Sequence, residues 1–320
     1  MKSKLTFLLA LTFLFLFSCV DVSYEESSGG LNEILFVLDN KYNKKEIKDF
    51  INSKNQPFKG LPQKQKTLDI TYIPSQSFKD IFKKQRCIVV LAESEIESFK
   101  VINEKWAGGQ KLFYFAAPDS EKIKKLLVEN IDTVFSKTQA THTDFLFQEI
   151  KSHHNKDIYN YIKDKLKISF YVPNTFILNK EDKNTVWFLS ESEKTDYLNN
   201  ILIHTYENKN LSIDLILDLR ERKIKSFIET QEGSYMTTDK RYDIVFNKDT
   251  SLYFSENTFF GLWRLEGATM GGPFYSKIIR DTINDRLIFL ESFLFYPNEK
   301  KRNIMIQNKT ILDNVNVFKN

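Results

Sequence analysis

The segment FYSKIIRDTINDRLIFLESFLF, residues 274–295, contains two apolar, strand-like runs separated by a short polar turn. The runs are Phe274–Thr282 and Arg286–Phe295, and Asn284-Asp285 supplies the turn between them. Short polar connections join antiparallel neighbours, whereas parallel strands need a longer crossover. The segment therefore predicts an antiparallel hairpin near the end of the chain.

The rest of the second half, about residues 167–320, indicates further antiparallel strands and two packed helices. Its other strand-like runs are bounded by polar residues and are Lys167–Asn179, Thr185–Ser190, Tyr197–Tyr206 and Gly261–Leu265. Ser212 is placed to cap a helix that carries an apolar stripe of Ile213, Leu217, Ile224, Phe227 and Ile228. A closing helix after Pro297 is predicted from the stripe Ile304, Ile311, Val315 and Phe318.

The first half, about residues 32–166, alternates short strands with helices. The predicted strands are Ile34–Leu38, Leu68–Ile73, Cys87–Leu91 and Leu112–Ala117. The predicted helices are Lys44–Ile51, Ser75–Lys84, one that begins after Pro118, and a further one over Thr143–Leu166. The chain is therefore expected to be α+β, with an alternating α/β N-terminal part (32–166) followed by antiparallel meanders with packed helices (167–320). The pattern leaves open whether the two parts form one domain and whether they share one sheet.

The N-terminus carries a predicted signal peptide over residues 1–18. Lys2 and Lys4 are followed by an uncharged apolar run that ends near Phe17. This run is shorter than the roughly 20 residues needed to span a bilayer and is typical of an export signal. Leu16-Phe17-Ser18-Cys19 resembles the lipobox of bacterial lipoproteins. The resemblance implies cleavage before Cys19 and attachment there of diacylglycerol and a further acyl chain such as palmitate.

Residues 19–31 are predicted to form a flexible tether, because Glu25, Glu26 and Gly29-Gly30 make the segment polar. Val20 stands where lipoproteins of the inner membrane commonly carry Asp, and this favours the outer membrane. The protein is therefore expected to be anchored in the cell envelope, on the periplasmic or the surface face, through lipid on Cys19.

The composition agrees with an exported, folded protein. Of the 320 residues, 42% are hydrophobic and 28% are charged, which is enough apolar surface for a core. The formal charge is +4, and it falls to +2 when the signal peptide takes Lys2 and Lys4 with it. No basic stretch or nucleic-acid motif remains, so no nucleic-acid partner is expected. Cys87, the second of two cysteines, lies in an apolar run and is expected to be a buried hydrophobe.

Five of the ten glycines lie between residues 233 and 272, together with distinctive side chains. A binding function would use Tyr235 and Trp263 as platforms and Arg264 as a ligand for a carboxylate or phosphate. The residues of this predicted binding rim are Tyr235, Trp263, Arg264, Glu266, Met270, Gly271 and Gly272. The structural alternative, which we favour, makes the glycines turn residues and places Trp263 and Met270 in the core.

Several short blocks carry a resemblance to a known family. They are Lys105-Trp106-Ala107 with Gln110, Gly233-Ser234-Tyr235-Met236, Gly261-Leu262-Trp263, Met270-Gly271-Gly272-Pro273-Phe274 and Lys301-Arg302. Together they resemble an uncharacterised Bacteroidota-type lipoprotein family that is classified as a domain of unknown function. The resemblance covers most of the mature chain. It implies an envelope location and implies no mechanism.

No motif for a metal or a cofactor is recognisable, and none is expected. The four histidines, His142, His153, His154 and His204, lack a zinc-binding spacing, and a solvated helix face accounts for the stripe Glu149, His153 and Asp157. No nucleophile elbow is present. Glu266, Asp281 and Glu291 lie on neighbouring predicted strands, which leaves open a carboxylate pair for glycoside cleavage.

The sequence favours a non-catalytic envelope lipoprotein that binds a partner protein or another envelope component. Two alternatives stay open. One is a hydrolase that acts on envelope glycan or lipid, and the other is a lipoprotein that binds a small ligand.

Overall fold

A computed structural model describes residues 24–207, 213–228, 233–248 and 256–319. The described strands form a mixed sheet in the first part of the chain and a separate antiparallel sheet in the second, which confirms the α+β prediction. The two parts therefore do not share one sheet. The predicted signal peptide, Cys19 and the predicted cap Ser212 lie outside the described residues. In the part of the chain that is described, no helix is both long and apolar enough to cross a membrane.

The first sheet has five strands in the order β2-β1-β3-β5-β4. The strands are β1 (Glu33–Leu38), β2 (Asp69–Pro74), β3 (Cys87–Glu93), β4 (Ser98–Asn103) and β5 (Lys111–Ala117). The first three and β5 run parallel, and β4 pairs antiparallel with β5 at the edge. The sequence analysis missed β4, because this edge strand has no fully buried residue and so no continuous apolar run.

Three helices belong to this part: α1 (Lys44–Lys54), α2 (Asp80–Lys83) and α3 (Ser120–Ser152). The prediction of one continuous helix over Ser75–Lys84 is wrong, because the helix is interrupted near Phe78. A 3₁₀ turn at Ser75–Ser77 ends at Phe78, whose backbone (φ −76°, ψ 81°) leaves the helical region before α2 begins. Phe78 instead packs on the apolar face of the sheet.

The predicted helix over Thr143–Leu166 is also wrong, because α3 continues through its first half. The helix begins at Asp119, whose carboxylate accepts a hydrogen bond from Lys122 N (2.9 Å), and runs for 33 residues. It ends at His153, and Asn155 then caps a new helix, α4 (Lys156–Leu166), by accepting from the amides of Asp157 and Ile158 (both 3.1 Å). The side chains of Glu149, His153 and Asp157 therefore do not share one helical face.

The second sheet is antiparallel, with the order β10-β12-β13-β14-β9-β8-β7, and β11 also pairs with β12. Its strands are β7 (Ile177–Glu181), β8 (Thr185–Glu191), β9 (Leu198–Glu207), β10 (Tyr235–Thr238), β11 (Val245–Lys248), β12 (Glu256–Glu266), β13 (Gly271–Asp281) and β14 (Arg286–Phe295). The predicted hairpin at the end of the chain is confirmed as β13–β14. The sequence analysis missed the short strands β10 and β11.

A small two-stranded sheet joins the two ends of the second part. The predicted strand Lys167–Asn179 contributes only its ends to strands, as β6 (Ile168–Ser169) and the start of β7. β6 pairs with β15 (Asn316–Val317) near the C-terminus. Two further helices, α5 (Ile213–Phe227) and α6 (Arg302–Asp313), complete the part. The closing helix is thus confirmed but shorter than predicted, because Val315 and Phe318 lie beyond its end.

The cores meet along α3. Its first half places Ile123, Leu127 and Ile131 in the core of the first sheet, whereas Ile150 near its end belongs to the core of the second. α4 packs entirely into that second core, through buried side chains at Ile158, Ile162 and Leu166. The end of α3 and the whole of α4 therefore pack with the second sheet.

Residues 24–30 lie against the first part instead of continuing as a free tether. Ser28 N donates to Lys84 O (2.7 Å), and Arg86 donates to the carbonyls of Gly29 and Ser27 (both 3.2 Å). The guanidinium carbon of Arg86 lies 3.5 Å from the centre of the Phe145 ring. Arg86 as a whole residue is 4% exposed. The described part of the tether predicted over 19–31 is therefore packed against the fold.

His142 links this segment to α3. Its Nε2 lies 2.7 Å from Glu33 O and donates to it, so its Nδ1 accepts from Arg86 at 3.3 Å. Burial, reinforced by the charge of Arg86, lowers the pKa of His142 to about 4. Burial also lowers the pKa of His204, whose Nδ1 lies 2.7 Å from Thr185 Oγ1, to about 4. Both imidazoles are neutral in the folded protein at pH 7.

We expect the free energy of unfolding to fall as the pH drops from about 6.5 to 4. In this window the unfolded chain binds protons at both histidines, whose unperturbed pKa is about 6.5, while the folded chain does not. Each group contributes up to about 3 kcal/mol of this loss. Urea denaturation at a series of pH values measures it. A free energy of unfolding that stayed constant between pH 6.5 and 4 would contradict the burial of both imidazoles.

Candidate ligand-binding site

The residues of the predicted binding rim lie on, or next to, the strands β10, β12 and β13 of the second sheet. Trp263 is 5% exposed, and its Nε1 donates to Leu294 O (3.3 Å) on the inner side of the sheet. Its ring packs edge-on against Phe293. Trp263 therefore packs in the core, as the structural alternative expects. Met270 packs half-buried against the same apolar cluster.

The two glycines of the rim permit close approach between strands. Gly272 pairs with Trp263 of β12, and a Cβ atom added to it would lie 1.9 Å from Leu294 O. A Cβ added to Gly271 would lie 2.8 Å from Trp263 O. Both obstacles are backbone atoms, which cannot rotate away. Neither glycine faces a cavity, and the structural alternative accounts for both of them.

The exposed members of the rim pair with their neighbours. Arg264 forms an ion pair with Glu266 at the partly exposed edge of β12. Tyr235 of β10 lies opposite Glu266 of β12. The ammonium group of Lys225 lies 3.9 Å from the centre of the Tyr235 ring. These side chains lie on a partly exposed surface of the sheet. The structure thus places the predicted rim residues close together on neighbouring strands.

We expect Gly272→Ala to destabilise the protein by about 3 kcal/mol or more, since the added methyl group forces β13 away from Leu294. Gly108→Ala is the matched control, because Gly108 lacks a positive φ and its added Cβ would meet nothing closer than 3.6 Å. Thermal or chemical denaturation of the two variants makes the comparison. Equal stability of both would contradict a steric role for Gly272.

The three carboxylates considered for glycoside cleavage are held apart. Glu291 of β14 pairs with Ser276 of β13, and Ser276 pairs with Phe259 of β12. Glu291 is therefore level with Phe259, which is seven residues from Glu266 along β12. That separation is roughly 23 Å, and Asp281 lies five residues, or roughly 17 Å, from Glu291 along the hairpin. Glycosidase carboxylates lie about 5–9.5 Å apart. No two of these three groups are placed to flank one glycosidic bond.

Each of the three carboxylates is instead bound to its own arginine. Fully buried Glu291 accepts from Arg220 Nε and Nη2 (both 2.6 Å) and from Ser276 Oγ (2.9 Å). Asp281 accepts from Arg286 Nε (2.7 Å) and from Asn284, and these bonds hold its pKa below the usual value against the opposing effect of burial. These are structural ion pairs that connect strands with helices and turns.

A cavity of about 410 Å³ lies where the two parts of the chain meet. The connection between α1 and β2 forms one wall, and about two turns of α3, from Asp132 to Gln139, form another. The third wall comes from the second part, through β12, β13 and α6. The volume lies within the range of small-molecule sites, about 300–1,000 Å³, and such sites favour the junctions between domains.

The interior of the cavity is mostly apolar, and its polar side chains lie at the rim. The apolar lining residues are Pro57, Phe58, Leu61, Leu68, Phe135, Phe260, Phe274, Tyr275 and Met305. The charged and polar lining residues are Lys54, Asn55, Gln56, Lys59, Thr67, Asp132, Ser136, Gln139 and Lys309. Lys54, Lys59 and Asp132 are exposed at the surface. Such a lining suits an apolar or amphipathic molecule and supplies few hydrogen bonds to a fully polar one.

Local hydrogen bonds hold the wall formed by residues 55–68. Asn55 closes its base, because its side chain donates to Leu68 O (2.9 Å) and accepts from Leu68 N (3.1 Å). Phe58 N donates to Gln65 O (2.8 Å) above this base. Gly60 has φ +80° and lies against the ring of Phe260, where an added Cβ would come within 2.5 Å of the ring. The loop therefore crosses from the first part onto the second.

Arg302 at the start of α6 joins the two parts beside the cavity. Its guanidinium binds the Asp69 carboxylate in a bidentate manner, with Nη1 to Oδ1 at 3.0 Å, and Nη1 also donates to Lys66 O (2.8 Å). The hydrogen bond from Arg302 lowers the pKa of Asp69. On the cavity side of α6, Lys309 pairs with Asp313, which also accepts from the hydroxyl of Tyr275.

The remaining candidates for chemistry do not form a site among the described residues. Cys87 is 1% exposed, and burial raises the pKa of its thiol to about 12, as expected of a structural cysteine. No group of three or more His, Cys, Asp or Glu side chains within the described ranges is placed to hold a metal ion.

Sequence analysis missed the cavity because no continuous motif forms it. Its walls come from four separate segments, and between 30 and 121 residues of sequence separate one segment from the next. One signal was present in the polar connection between α1 and β2. There Phe58 and Leu61 interrupt a run of lysines and glutamines, and apolar residues in such a loop indicate that it packs on something.

These features define an α+β protein in which two packed units enclose an apolar cavity at their junction. The chain belongs to the family DUF4837, described as a domain of unknown function, whose family model matches residues 155–314. A second family model, DUF8532, also a domain of unknown function, matches residues 27–151. The two matches meet at residues 151–155, where α3 ends and α4 begins.

Solved structures resemble parts of the chain weakly. The Ran-binding protein Mog1p of Saccharomyces cerevisiae is 11% identical over 48% of this chain and 91% of its own, with a TM-score of 0.32. PsbP of Synechocystis sp. PCC 6803 is 12% identical over 48% of this chain and 87% of its own, with a TM-score of 0.33. The lipid transfer and protein localization domain of human StarD13 is 12% identical over 50% and 94%, with a TM-score of 0.24. No curated protein matches the sequence.

Proposed function

We propose that the protein is a lipid-anchored binding component of the cell envelope that holds an apolar or amphipathic small molecule between its two parts. The cavity of about 410 Å³ carries this proposal. The cavity opens to the surface beside exposed residues such as Lys59 and Asp132, and its lining offers mostly apolar surface to a molecule that enters it. The ligand-binding alternative from the sequence is therefore preferred over a scaffold without a pocket.

The character of the lining supports an amphipathic ligand. Aromatic and aliphatic side chains, among them Phe58, Phe135 and Met305, offer an apolar interior, while Lys54 and Lys59 lie at the exposed rim. A ligand with an apolar body and an anionic end would place its body inside and its charge near these ammonium groups. A long acyl group with a carboxylate or phosphate end has this chemistry.

The lipobox-like segment supports the envelope location. Leu16-Phe17-Ser18-Cys19 follows an apolar run of export length, and a lipid on Cys19 would hold the protein at a membrane where such ligands are abundant. Two or three acyl chains give durable anchoring, because each buried methylene group contributes about 0.8 kcal/mol. Location and ligand chemistry thus agree.

We expect lauric acid, as a probe of this chemistry, to raise the midpoint of thermal unfolding, and Ser136→Phe to abolish the rise. Ser136 lies on the exposed rim of α3, and its hydroxyl donates only to Thr133 O (3.1 Å) among the described contacts. A phenyl group there fills the mouth of the cavity. At a hundredfold excess over Kd, a ligand stabilises the folded state by about 2.7 kcal/mol.

Thr133→Phe is the matched control, because Thr133 is an exposed residue of the same helix that does not line the cavity. It should fold and respond to the probe as the parent protein does. Differential scanning fluorimetry compares the three proteins, and native mass spectrometry of the protein extracted from membranes tests for a co-purified ligand. A thermal shift that Ser136→Phe leaves intact would contradict binding in this cavity.

A further inference from the structure

The described chain starts at one end of the first sheet. Ser27 N donates to Gly108 O (3.0 Å), and Gly108 N donates to Glu25 O (2.9 Å), so this segment runs along the loop between β4 and β5. Ser28 N bonds to Lys84 O just after α2. Tyr24 therefore lies beside the loop 104–110 and close to the end of α2.

The sheet face next to this point has a thin cover. α1 and α3 pack on one face, whereas the opposite face carries a small cluster of Leu35, Val37, Ile88 and Leu112. Among the described residues, the side chains over this cluster come from Phe78, Phe82 and Trp106. Ile73, Val90 and Ile102 at its margin stay half-buried. Parallel sheets are ordinarily covered on both faces, so this one has an unfinished side.

Apolar and aromatic side chains are exposed on this side. Ile81 of α2 is 75% exposed, and Tyr24 is 45% exposed. Trp106 is half-buried, with its ring edge-on to Phe78 at a centre-to-centre distance of 5.6 Å. Tyr24, Phe78, Ile81, Phe82 and Trp106 are called the docking face below. Trp and Tyr side chains, which have an apolar ring and a polar group, are enriched at the interface between lipid and water.

The docking face carries balanced charges. Four lysines surround it, Lys79, Lys83, Lys84 and Lys105, and four acidic residues accompany them, Glu25, Glu26, Asp80 and Glu104. Lys83 pairs with Asp80 (2.9 Å), and Lys84 pairs with Glu25. A strongly charged partner would find no net complement here. This composition fits a lipid bilayer surface, where apolar side chains insert among the lipid headgroups and the apolar stems of lysines lie along the interface.

We infer that the docking face rests on the surface of the membrane that anchors the protein. This inference depends on the proposed lipid anchor at Cys19. Five residue steps separate Cys19 from Tyr24, and a chain of that length reaches at most about 18 Å. The anchor thus keeps Tyr24 close to the headgroups, and the membrane is the one large apolar surface brought to this face on every molecule. The body is held in one orientation, with the far end of the first sheet pointing away from the bilayer.

Two exposed isoleucines of equal accessibility allow a direct test. Ile81 lies in the docking face, and Ile96, also 75% exposed, follows the opposite end of β3. The seven residues of β3 place the two ends about 23 Å apart. We would make Ile81→Cys and Ile96→Cys in the full, lipidated chain and label each with an environment-sensitive fluorophore. Cys87 stays unlabelled because it is buried and its thiol pKa is about 12.

The labelled proteins are reconstituted into phosphatidylethanolamine–phosphatidylglycerol vesicles that contain lipids with nitroxide quenchers near the headgroup. We expect quenching to remove most of the fluorescence at position 81 and none at position 96. Equal quenching at both positions, or none at either on protein that sediments with the vesicles, would overturn the docking inference and leave the anchor intact. Protein that fails to acquire lipid and does not sediment would overturn both proposals. Shielding of position 81 in detergent without vesicles, growing with protein concentration, would identify a second copy as the occupant and also overturn the inference.

Discussion

The continuous helix α3 is the element on which the arrangement of both parts depends. Its 33 residues extend over roughly 50 Å, with the first half in one core and the last turns in the other. A helix that is packed at both ends behaves as a spacer, because its backbone hydrogen bonds resist bending. The stretch from Asp132 to Gln139 lies at the end of the part of the helix that packs in the first core, and its residues Asp132, Phe135, Ser136 and Gln139 line the cavity. The cavity is therefore a consequence of how far apart the helix holds the two sheets.

A second constraint keeps the parts from separating around the helix. The Asp69–Arg302 pair and the contact of Gly60 with Phe260 bring one loop of the first part onto the strands and closing helix of the second. The Asp69 side chain is half-exposed, so this pair adds little stability and mainly fixes a geometry. Arg220 and Glu291 within the second sheet form a buried pair, which also fixes a geometry more than it adds stability, because desolvation offsets much of its attraction. Together these pairs define positions, and the apolar clusters supply the driving force.

Most of the fold was readable from the sequence because its strong periodic signals are local. Strands with continuous apolar runs, such as Cys87–Glu93, and the hairpin after Gly271 were predicted within a few residues. The edge strand β4 was missed because it lacks a buried face, and α3 was cut in two because its apolar stripe shifts from one core to the other. The candidate site was not predicted, since distant segments form it. The glycines that attracted attention serve strand packing, a role visible only once the carbonyl of Leu294 is placed beside Gly272.

The large sequence separation between Arg302 and its partner Asp69 has a consequence for the order in which the protein folds. The residues that wall the cavity run from Lys54 to Lys309, so a chain that has been synthesised only in part possesses no cavity. The strands of the first sheet all lie within the first 117 residues, so the segment that forms this sheet is complete long before the segments that form the cavity. The bond between Arg302 and Asp69 spans 233 residues, so it can form only after nearly the whole chain has been made. The walls of the cavity therefore come together only in a nearly complete chain.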